Sequence, residues 1–286
     1  LVAALLAHCG ALRLDGAHEP VEPKSAGRPR DPTPRVALIK FPRTGSTMLM
    51  KVLQAAVCSS KDCDQRWAPE VFNEACAADD SCALRTIRHF SRCSGSEGCG
   101  WSLNLFKHQR AGLRLWPQIV EIMAAQPMTV IFLTRRDFVA QFVSYDVGAR
   151  RKEVMQSAEY KQNFGRGLCN AYQFYNCPRS VVKWVQNRSS FAVDLRQMHD
   201  EVLRSRREAR IYSRLEAELR ERKAANLTIM HLTYEDLRNE DAWTELSRVA
   251  GLPAVQHPRM LDSDYSGFIS NWADVAAYAR ITGVTA

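Results

Sequence analysis

A short apolar run followed by a basic, hydroxyl-rich turn is the feature that most constrains the fold of this chain. Residues 36–39 have the composition of a buried strand, and residues 48–57 have a helical composition without Gly or Pro. The turn between them contains Arg43, Thr44, Gly45, Ser46 and Thr47. A strand, turn and helix in this order aim backbone N–H groups, the positive end of a helix dipole and a guanidinium at one point. The turn therefore predicts a site for phosphate or sulfate.

Two alternatives to this interpretation remain open. The nucleoside triphosphate P-loop needs a glycine five residues before a Gly-Lys-Ser/Thr ending. Here Gly45 is the only glycine of the turn, and Ser46 rather than Lys follows it. A strand–turn–helix with Arg and Thr can also be an ordinary solvated connection.

A second segment predicts a second anion contact. Residues 129–134 form a β-rich apolar run, and a helical pattern over residues 138–148 follows it. Arg136 lies at the carboxyl end of the predicted strand, and Ser144 comes eight residues later, about two turns into the helix. Both side chains could hold one more phosphate. The alternative for Arg136 is a surface ion pair.

Together the two segments resemble the sulfotransferases that use 3′-phosphoadenosine-5′-phosphosulfate (PAPS). The first is similar to the 5′-phosphosulfate loop of that family and the second to its 3′-phosphate motif. The Pro-Arg-Thr-Gly-Ser-Thr form is closest to the Golgi carbohydrate sulfotransferases and their bacterial and algal relatives. The resemblance implies a P-loop-like α/β fold of three layers. The alternation of strands and helices independently predicts the central parallel sheet of that fold, with helices on both faces.

The resemblance also implies roles for individual residues. Arg43 would neutralise charge on the leaving group, while Thr44, Gly45, Ser46 and Thr47 would hold the 5′-phosphate. Arg136 and Ser144 would hold the 3′-phosphate, and Ser270 and Asn271 would close over the nucleotide. The product nucleotide would be 3′-phosphoadenosine-5′-phosphate (PAP), and the chemistry would need no metal.

The acceptor hydroxyl needs a base, and two residues are candidates. Glu70 is the first choice, because the carbohydrate-type relatives place a catalytic glutamate in the segment it resembles. An ordinary surface glutamate is the alternative. His108 is the second choice, since it is predicted to end a strand and the cytosolic relatives use a Lys-x-His arrangement near that place. In this chain Lys107 and His108 are adjacent.

The charge of the chain agrees with an anionic ligand. The formal net charge is +8, and such a surface would attract a multiply charged donor or an acidic acceptor. Nucleic acid is disfavoured because the basic residues alternate with acidic ones, as over residues 204–222, which we interpret as a solvated helix. The expected acceptor is a carbohydrate hydroxyl. A small metabolite, tyrosine, a kinase reaction and a non-enzymatic glycan-binding module are the alternatives, and the oligomeric state is not indicated.

The cysteines indicate an oxidising compartment. Six lie between Cys58 and Cys99, and Cys169 and Cys177 form a separate pair. This pattern predicts three disulfides in the first group, of undetermined connectivity, and one between Cys169 and Cys177. A zinc cluster is the weaker alternative because no Cys-x-x-Cys repeats. Two glycosylation sequons, at Asn187 and Asn226, also suit the Golgi lumen or secretory pathway.

The N-terminal segment is predicted to be separate from the folded domain. Residues 1–7 are apolar but too few to cross a bilayer, which takes about 20 residues. They could be the end of a signal peptide or of a type II membrane anchor. A proline-rich linker follows, so we expect residues 1–34 to be a stem and residues 35–286 to be the sulfotransferase domain. Within the domain, a further helix is predicted over residues 112–126, two helices are predicted over residues 180–225, and a core strand is predicted over residues 228–232.

Overall fold

The structure is a computed structural model that describes most of the predicted domain. It covers residues 33–41, 46–58, 66–72, 76, 79–93, 98–165, 169, 177–222, 226–254 and 265–283, without the side chains of residues 107–109. The predicted stem, apart from its last two residues, lies outside the described residues.

A five-stranded parallel sheet forms the centre of the domain. Its strands are β1 (Arg35–Lys40), β2 (Trp67–Ala68), β3 (Cys99–Leu103), β4 (Met128–Thr134) and β5 (Leu227–Thr233). They are arranged in the order β2-β3-β1-β4-β5. Leu38 of β1 lies opposite Ser102 of β3 on one side and Ile131 of β4 on the other. The chain therefore has the predicted α/β architecture, with β1 in the middle of the sheet.

Ten α-helices surround the sheet in the described part of the chain. They are α1 (Ser46–Val57), α2 (Asp80–Ser91), α3 (Lys107–Arg114), α4 (Trp116–Ala124), α5 (Phe138–Gln156), α6 (Ala158–Phe164), α7 (Arg179–Gln186), α8 (Leu195–Glu221), α9 (Glu240–Ala250) and α10 (Trp272–Thr282). Several begin at a residue whose side chain accepts backbone N–H groups of the first turn, as Asp79 does for α2 and Asp194 for α8. None of the described helices is long and apolar enough to cross a membrane.

Two hydrophobic cores lie on the two faces of the sheet. On one face, α2, α3, α4 and α8 bury side chains such as Trp101, Phe132 and Tyr212. On the other face, α1 and α9 bury side chains such as Leu53 and Trp243. Burial of this apolar surface is the main force that holds the helices to the sheet, so the three-layer architecture follows from the two-faced pattern of the strands.

The segment over residues 180–225 forms two helices, α7 and α8, as predicted. Residues 187–194 separate them, because Phe191 forms a parallel bridge with Ile269 and the Asn271 side chain bonds both the N–H and the carbonyl of Val193. The interpretation of residues 204–222 as a solvated helix is wrong for one face. Tyr212, Leu215 and Leu219 of α8 are buried against the sheet.

The prediction that His108 ends a strand is wrong. β3 ends at Leu103, and α3 begins at Lys107. The physical reason is local, since the Asn104 side chain accepts the N–H of Phe106 at 3.0 Å and so turns the chain out of the sheet. His108 therefore lies in the first turn of a helix.

The disulfides agree in part with the prediction. The structure contains the bridges Cys76–Cys82, Cys93–Cys99 and Cys169–Cys177, and Cys58 is also disulfide-bonded. Each of these three bridges closes a short loop, which limits the freedom of the unfolded chain. Three disulfides fit a secreted protein or an oxidising compartment.

Candidate functional site

Several interacting polar side chains lie at the carboxyl ends of the strands. Because all five strands are parallel, the segments that follow them open at the same edge of the sheet. β2 and β3 lie on one side of β1, whereas β4 and β5 lie on the other, so the strand order reverses at β1. Ligands of open α/β sheets bind at such a point. We call this edge the carboxyl edge.

A buried ion pair lies at the end of β1. Nζ of Lys40 is 3.0 Å from Oε2 of Glu70, and the two side chains are only 10% and 18% exposed. Lys40 also donates to the carbonyl of Pro69 at 3.3 Å, and the second oxygen of Glu70 accepts the N–H of Asn104 at 3.3 Å. Glu70 was predicted as a site residue and Lys40 was not, although Lys40 is a basic residue at the end of an apolar strand. The pair fixes the Glu70 carboxylate between the ends of three strands.

Tyr212 of α8 connects the end of β1 to the segment after β3 through its hydroxyl group. Its hydroxyl donates to the carbonyl of Lys40 at 2.5 Å and accepts the N–H of Leu105 at 3.4 Å. Complete burial raises the pKa of Tyr212 well above its ordinary value of 10.0, so the hydroxyl keeps its proton. Its ring packs against Phe41 and Phe106. Tyr212 therefore fixes the backbone immediately before the anion-binding turn that the sequence predicts.

The turn between β4 and α5 contains Arg136, whose guanidinium is 59% exposed. Nη2 of Arg136 donates to Oδ1 of Asp236 at 2.6 Å. The carboxylate of Glu235 accepts the backbone N–H groups of Arg136 at 3.1 Å and Asp137 at 3.3 Å. Acidic side chains that follow β5 thus already occupy donors that the resemblance assigns to a 3′-phosphate. Ser144 lies farther along α5 and is partly exposed.

A chain of polar side chains links β4, β5 and α8 beside this turn. Nε2 of His231 lies 3.0 Å from the hydroxyl of Thr134, and Nδ1 lies 2.6 Å from Oε2 of Glu216. Glu216 also accepts from Arg220 at 2.8 Å. Burial alone would raise the pKa of Glu216, but the hydrogen bonds and charges of His231 and Arg220 outweigh it, so the pKa is lowered. These contacts were not predicted, since the four-residue spacing of Glu216 and Arg220 on a helix does not identify His231 on a strand as a partner.

Glu208 lies two turns before Glu216 on α8 and has the opposite property. Burial raises its pKa, and the nearby charges of Arg204 and Arg110 offset the effect only in part. Arg110 has a left-handed backbone (φ 63°), a conformation that costs free energy in a residue other than glycine. The surroundings therefore raise the pKa of Glu208 and lower the pKa of Glu216, although both residues lie on α8.

The remaining predicted site residues have three different outcomes. Arg43, Thr44 and Gly45 lie outside the described residues, as does the side chain of His108. Ser46 and Thr47 form the first residues of α1, directly after the predicted turn. Asn271 uses its amide to bond Val193, and the N–H of Ser270 bonds the carbonyl of Phe191 at 2.9 Å. A nucleotide contact by Ser270 or Asn271 stays a prediction.

Within the described residues, the carboxyl edge thus brings together a buried lysine, a partly buried glutamate, an exposed arginine and the start of α1. No group of three or more His, Cys, Asp or Glu residues in the described part of the chain could hold a metal ion. The arrangement can hold an anion and accept a proton.

The chain matches no protein-family model, no curated protein and no solved structure.

Proposed function

We propose that this protein is a sulfotransferase that moves a sulfuryl group from PAPS to a hydroxyl group, with a carbohydrate as the acceptor. One observation carries the proposal: β1 and β4 are hydrogen-bonded neighbours, with Lys40 opposite Leu133. The carboxyl ends of β1 and β4 therefore lie side by side, since neighbouring strands lie about 4.8 Å apart. This placement supports one ligand with two separate anionic groups.

The described residues fit such a donor in most respects. PAPS would supply the sulfuryl group, carried on its 5′-phosphate, and would present a separate 3′-phosphate. The first turn of α1 contains no acidic residue, so the positive end of its dipole is not neutralised from within the helix. Ser46 and Thr47 begin that helix and would hold phosphate oxygens.

Arg136 already has an acidic partner, which decides how it could hold a phosphate. Its guanidinium is exposed but bonded to Asp236, a surface pair of a kind that contributes at most about 1 kcal/mol. A phosphate offers more charge and a geometry that accepts the guanidinium fork. The donor would therefore displace Asp236 from Arg136 or use the remaining N–H groups of the guanidinium.

Glu70 is the described residue best placed to act as the base. Its carboxylate is nearly buried at the carboxyl edge and is held by Lys40 on one oxygen and by the Asn104 N–H on the other. Glu70 would accept the proton of the acceptor hydroxyl as that oxygen bonds to sulfur. The Lys40 ammonium would remain nearby to compensate the charges of the site, which is worth most where water is excluded.

Binding of PAP, the product nucleotide, tests the donor site without turnover. We expect the purified protein to bind PAP more tightly than 5′-AMP in calorimetry, because only PAP has a 3′-phosphate. Arg136→Ala should weaken PAP binding by about 10- to 100-fold, the loss expected for a charge-assisted contact, and should hardly affect 5′-AMP. Arg150→Ala is the matched control, since it removes an exposed arginine of α5 that pairs with Glu153.

Transfer of labelled sulfate tests the reaction itself. The protein is incubated with radiolabelled PAPS and a panel of glycans, phenols and peptides, and label is expected on a glycan. Label on a phenol or a peptide would keep the reaction class and change the acceptor. Equal losses for Arg136→Ala and Arg150→Ala would show that the 3′-phosphate contact is misassigned, and tight binding of ATP with magnesium in place of PAP would favour a kinase.

A further inference from the structure

β5 is the outermost strand on its side of the described sheet. It pairs with β4 along its whole length, and no described strand pairs with its other side. Thr228 and His231, whose side chains point to opposite faces of the sheet, are both exposed. The outer side of β5 is therefore an open edge of the described sheet, and the backbone N–H and C=O groups of such an edge can pair with another chain.

The sequence of β5 offers little protection against such pairing. Residues 227–233 read Leu-Thr-Ile-Met-His-Leu-Thr, a run of high β-propensity without Pro, Gly, Asp, Glu, Lys or Arg. Segments of about six or seven residues with this composition are prone to form β-structure between chains. The one ionisable side chain of the strand, His231, is bonded to Glu216 and Thr134. The strand thus lacks the charges and prolines that commonly protect an edge.

A glycosylation sequon begins at the residue before this strand. Asn226 is the acceptor asparagine, and Thr228, the second residue of β5, supplies the hydroxyl that the sequon requires. Both residues are exposed. Nδ2 of Asn226 donates to the carbonyl of Ala124 at 3.4 Å, and an amide nitrogen has two hydrogens, so attachment of a sugar can leave this bond in place. The folded chain therefore tolerates a glycan at the start of β5.

The other sequon, at Asn187, has a different setting. Asn187 directly follows α7, whose buried residues pack with Tyr160 of α6 and not with the sheet. The hydroxyl of Ser189, which completes this sequon, is buried and donates to the carbonyl of Val185 at 2.7 Å. A glycan at Asn187 would not lie beside a strand of the described sheet, so this sequon provides a comparison for the one at Asn226.

We propose that Asn226 carries an N-linked glycan and that this glycan covers the outer edge of β5. Three disulfides fit a secreted protein, the class of protein in which such sequons are used. In the modification, Nδ2 of Asn226 bonds to C1 of a lipid-linked oligosaccharide, the bond between C1 and the lipid pyrophosphate breaks, and Nδ2 loses a proton. A bulky, hydrophilic glycan beside an edge strand hinders the approach of a second strand, as a charge or a proline does at other edges.

The proposed glycan is separate from the proposed donor site. β5 runs parallel to the other strands, so Asn226 lies at the edge of the sheet opposite the carboxyl edge. The proposal depends on a secretory location and not on the transfer of sulfate. PAP affinity should therefore be the same with and without this glycan, so the two proposals can fail separately.

Mass spectrometry of the full chain, secreted from insect or mammalian cells, tests the modification. Enzymatic removal of N-linked glycans converts each glycan-bearing asparagine to aspartate, and we expect this conversion at Asn226. Thr228→Ala destroys the sequon and keeps Asn226, so the glycan should be lost, whereas Thr228→Ser keeps the sequon and should keep the glycan. An unmodified Asn226 in the wild-type protein would overturn the proposal.

Light scattering of the secreted proteins tests the shielding of the edge. Thr228→Ala should aggregate several-fold faster than the wild type and Thr228→Ser should not, although alanine has a lower β-propensity than threonine. Asn187→Gln is the matched control, because it removes the other sequon and leaves the edge of the sheet unchanged. If Thr228→Ala aggregates no faster than Asn187→Gln, the glycan at Asn226 does not protect β5.

The same proteins made in a bacterial periplasm separate the effect of the glycan from that of the side chain. Disulfides form in this compartment, and an ordinary bacterial host attaches no glycan to the sequon. Wild type and Thr228→Ala should then aggregate at the same rate, and faster than the glycosylated wild type. A difference that persists without the glycan would assign the effect to the Thr228 side chain and contradict the shielding.

Asn226→Gln provides a second variant, since it removes the acceptor nitrogen and leaves Thr228 in place. It should lose the glycan and aggregate as Thr228→Ala does. Retention of both variants in aggregates inside the cells, with Thr228→Ser secreted, would show the same protection during folding. Normal secretion and solubility of Asn226→Gln would refute it.

Discussion

Two buried tyrosines provide a matched test of how the carboxyl edge is held together. The Tyr212 hydroxyl bonds the carbonyl of Lys40 and the N–H of Leu105, whereas the hydroxyl of Tyr160, also buried, has no hydrogen-bond partner among the described residues. Replacement by phenylalanine removes one oxygen in each case and keeps the ring. The two substitutions therefore differ in hydrogen bonding and hardly at all in packing.

The two substitutions are expected to change the free energy of unfolding in different directions. Tyr212→Phe takes away the donor to a buried carbonyl and the acceptor of a buried N–H, a loss that costs about 1–3 kcal/mol. The contact with Leu105 is long, at 3.4 Å, so most of this cost should come from Lys40. Tyr160→Phe removes a buried hydroxyl without a partner and should leave the protein unchanged or stabilise it by up to about 1 kcal/mol.

Urea unfolding at pH 7, followed by circular dichroism, measures both effects. The midpoint should fall for Tyr212→Phe and stay or rise for Tyr160→Phe, with the same dependence on urea concentration in all three proteins. If Tyr212→Phe is as stable as the wild type, the hydroxyl does not hold the ends of β1 and β3 in solution. An equal loss in both variants would show that the ring environments, rather than the hydrogen bonds, decide the result.

The remaining predictions concern three glutamates. The lowered pKa of Glu216 means that its ionised form stabilises the fold at pH values above its ordinary pKa of 4.5, and that this contribution disappears as the pH falls below that value. Glu216→Gln should therefore lower the free energy of unfolding by about 1–3 kcal/mol at pH 7, as urea unfolding measures. It should also flatten the loss of stability in acid. The pKa of Glu208 is raised, so its negative charge disfavours the fold at neutral pH, and this penalty fades as the pH falls. Glu208→Gln should therefore unfold at a higher urea concentration at pH 7. A lower midpoint would contradict the environment assigned to Glu208. Glu70→Gln should suppress sulfate transfer while PAP affinity is retained; if His108→Ala does so instead, the assignment of the base is exchanged.

The sheet could be predicted from the sequence because its signals are local. The apolar runs that became β1, β4 and β5 are bounded by polar residues, and each strand differs from its predicted bounds by one residue at most at either end. The length of α5 was underestimated, since Gly148 suggested an end but is buried within a continuous helix that reaches Gln156. A glycine inside a helix lowers stability without forcing a stop.

The site was less predictable because its partners are distant in sequence. Glu70 could be singled out, yet its ion pair with Lys40 depends on β1 and β2 lying on either side of β3. Tyr212 approaches the same place from a helix far along the chain, and no spacing rule connects it to residue 40. The sequence thus indicated which segments carry polar chemistry, whereas the pairing of their side chains required the order of the strands.

The central position of β1 has a consequence for the nascent chain. β1 is made before the other described strands, but its partners β3 and β4 end only at residues 103 and 134, so this apolar strand lacks one or both partners while they are synthesised. Contacts between distant segments form slowly, because the intervening chain must first be brought together. During that interval an exposed strand of this kind is prone to pair with other chains, so we expect biosynthesis of this protein to depend on chaperones that shield its first strand.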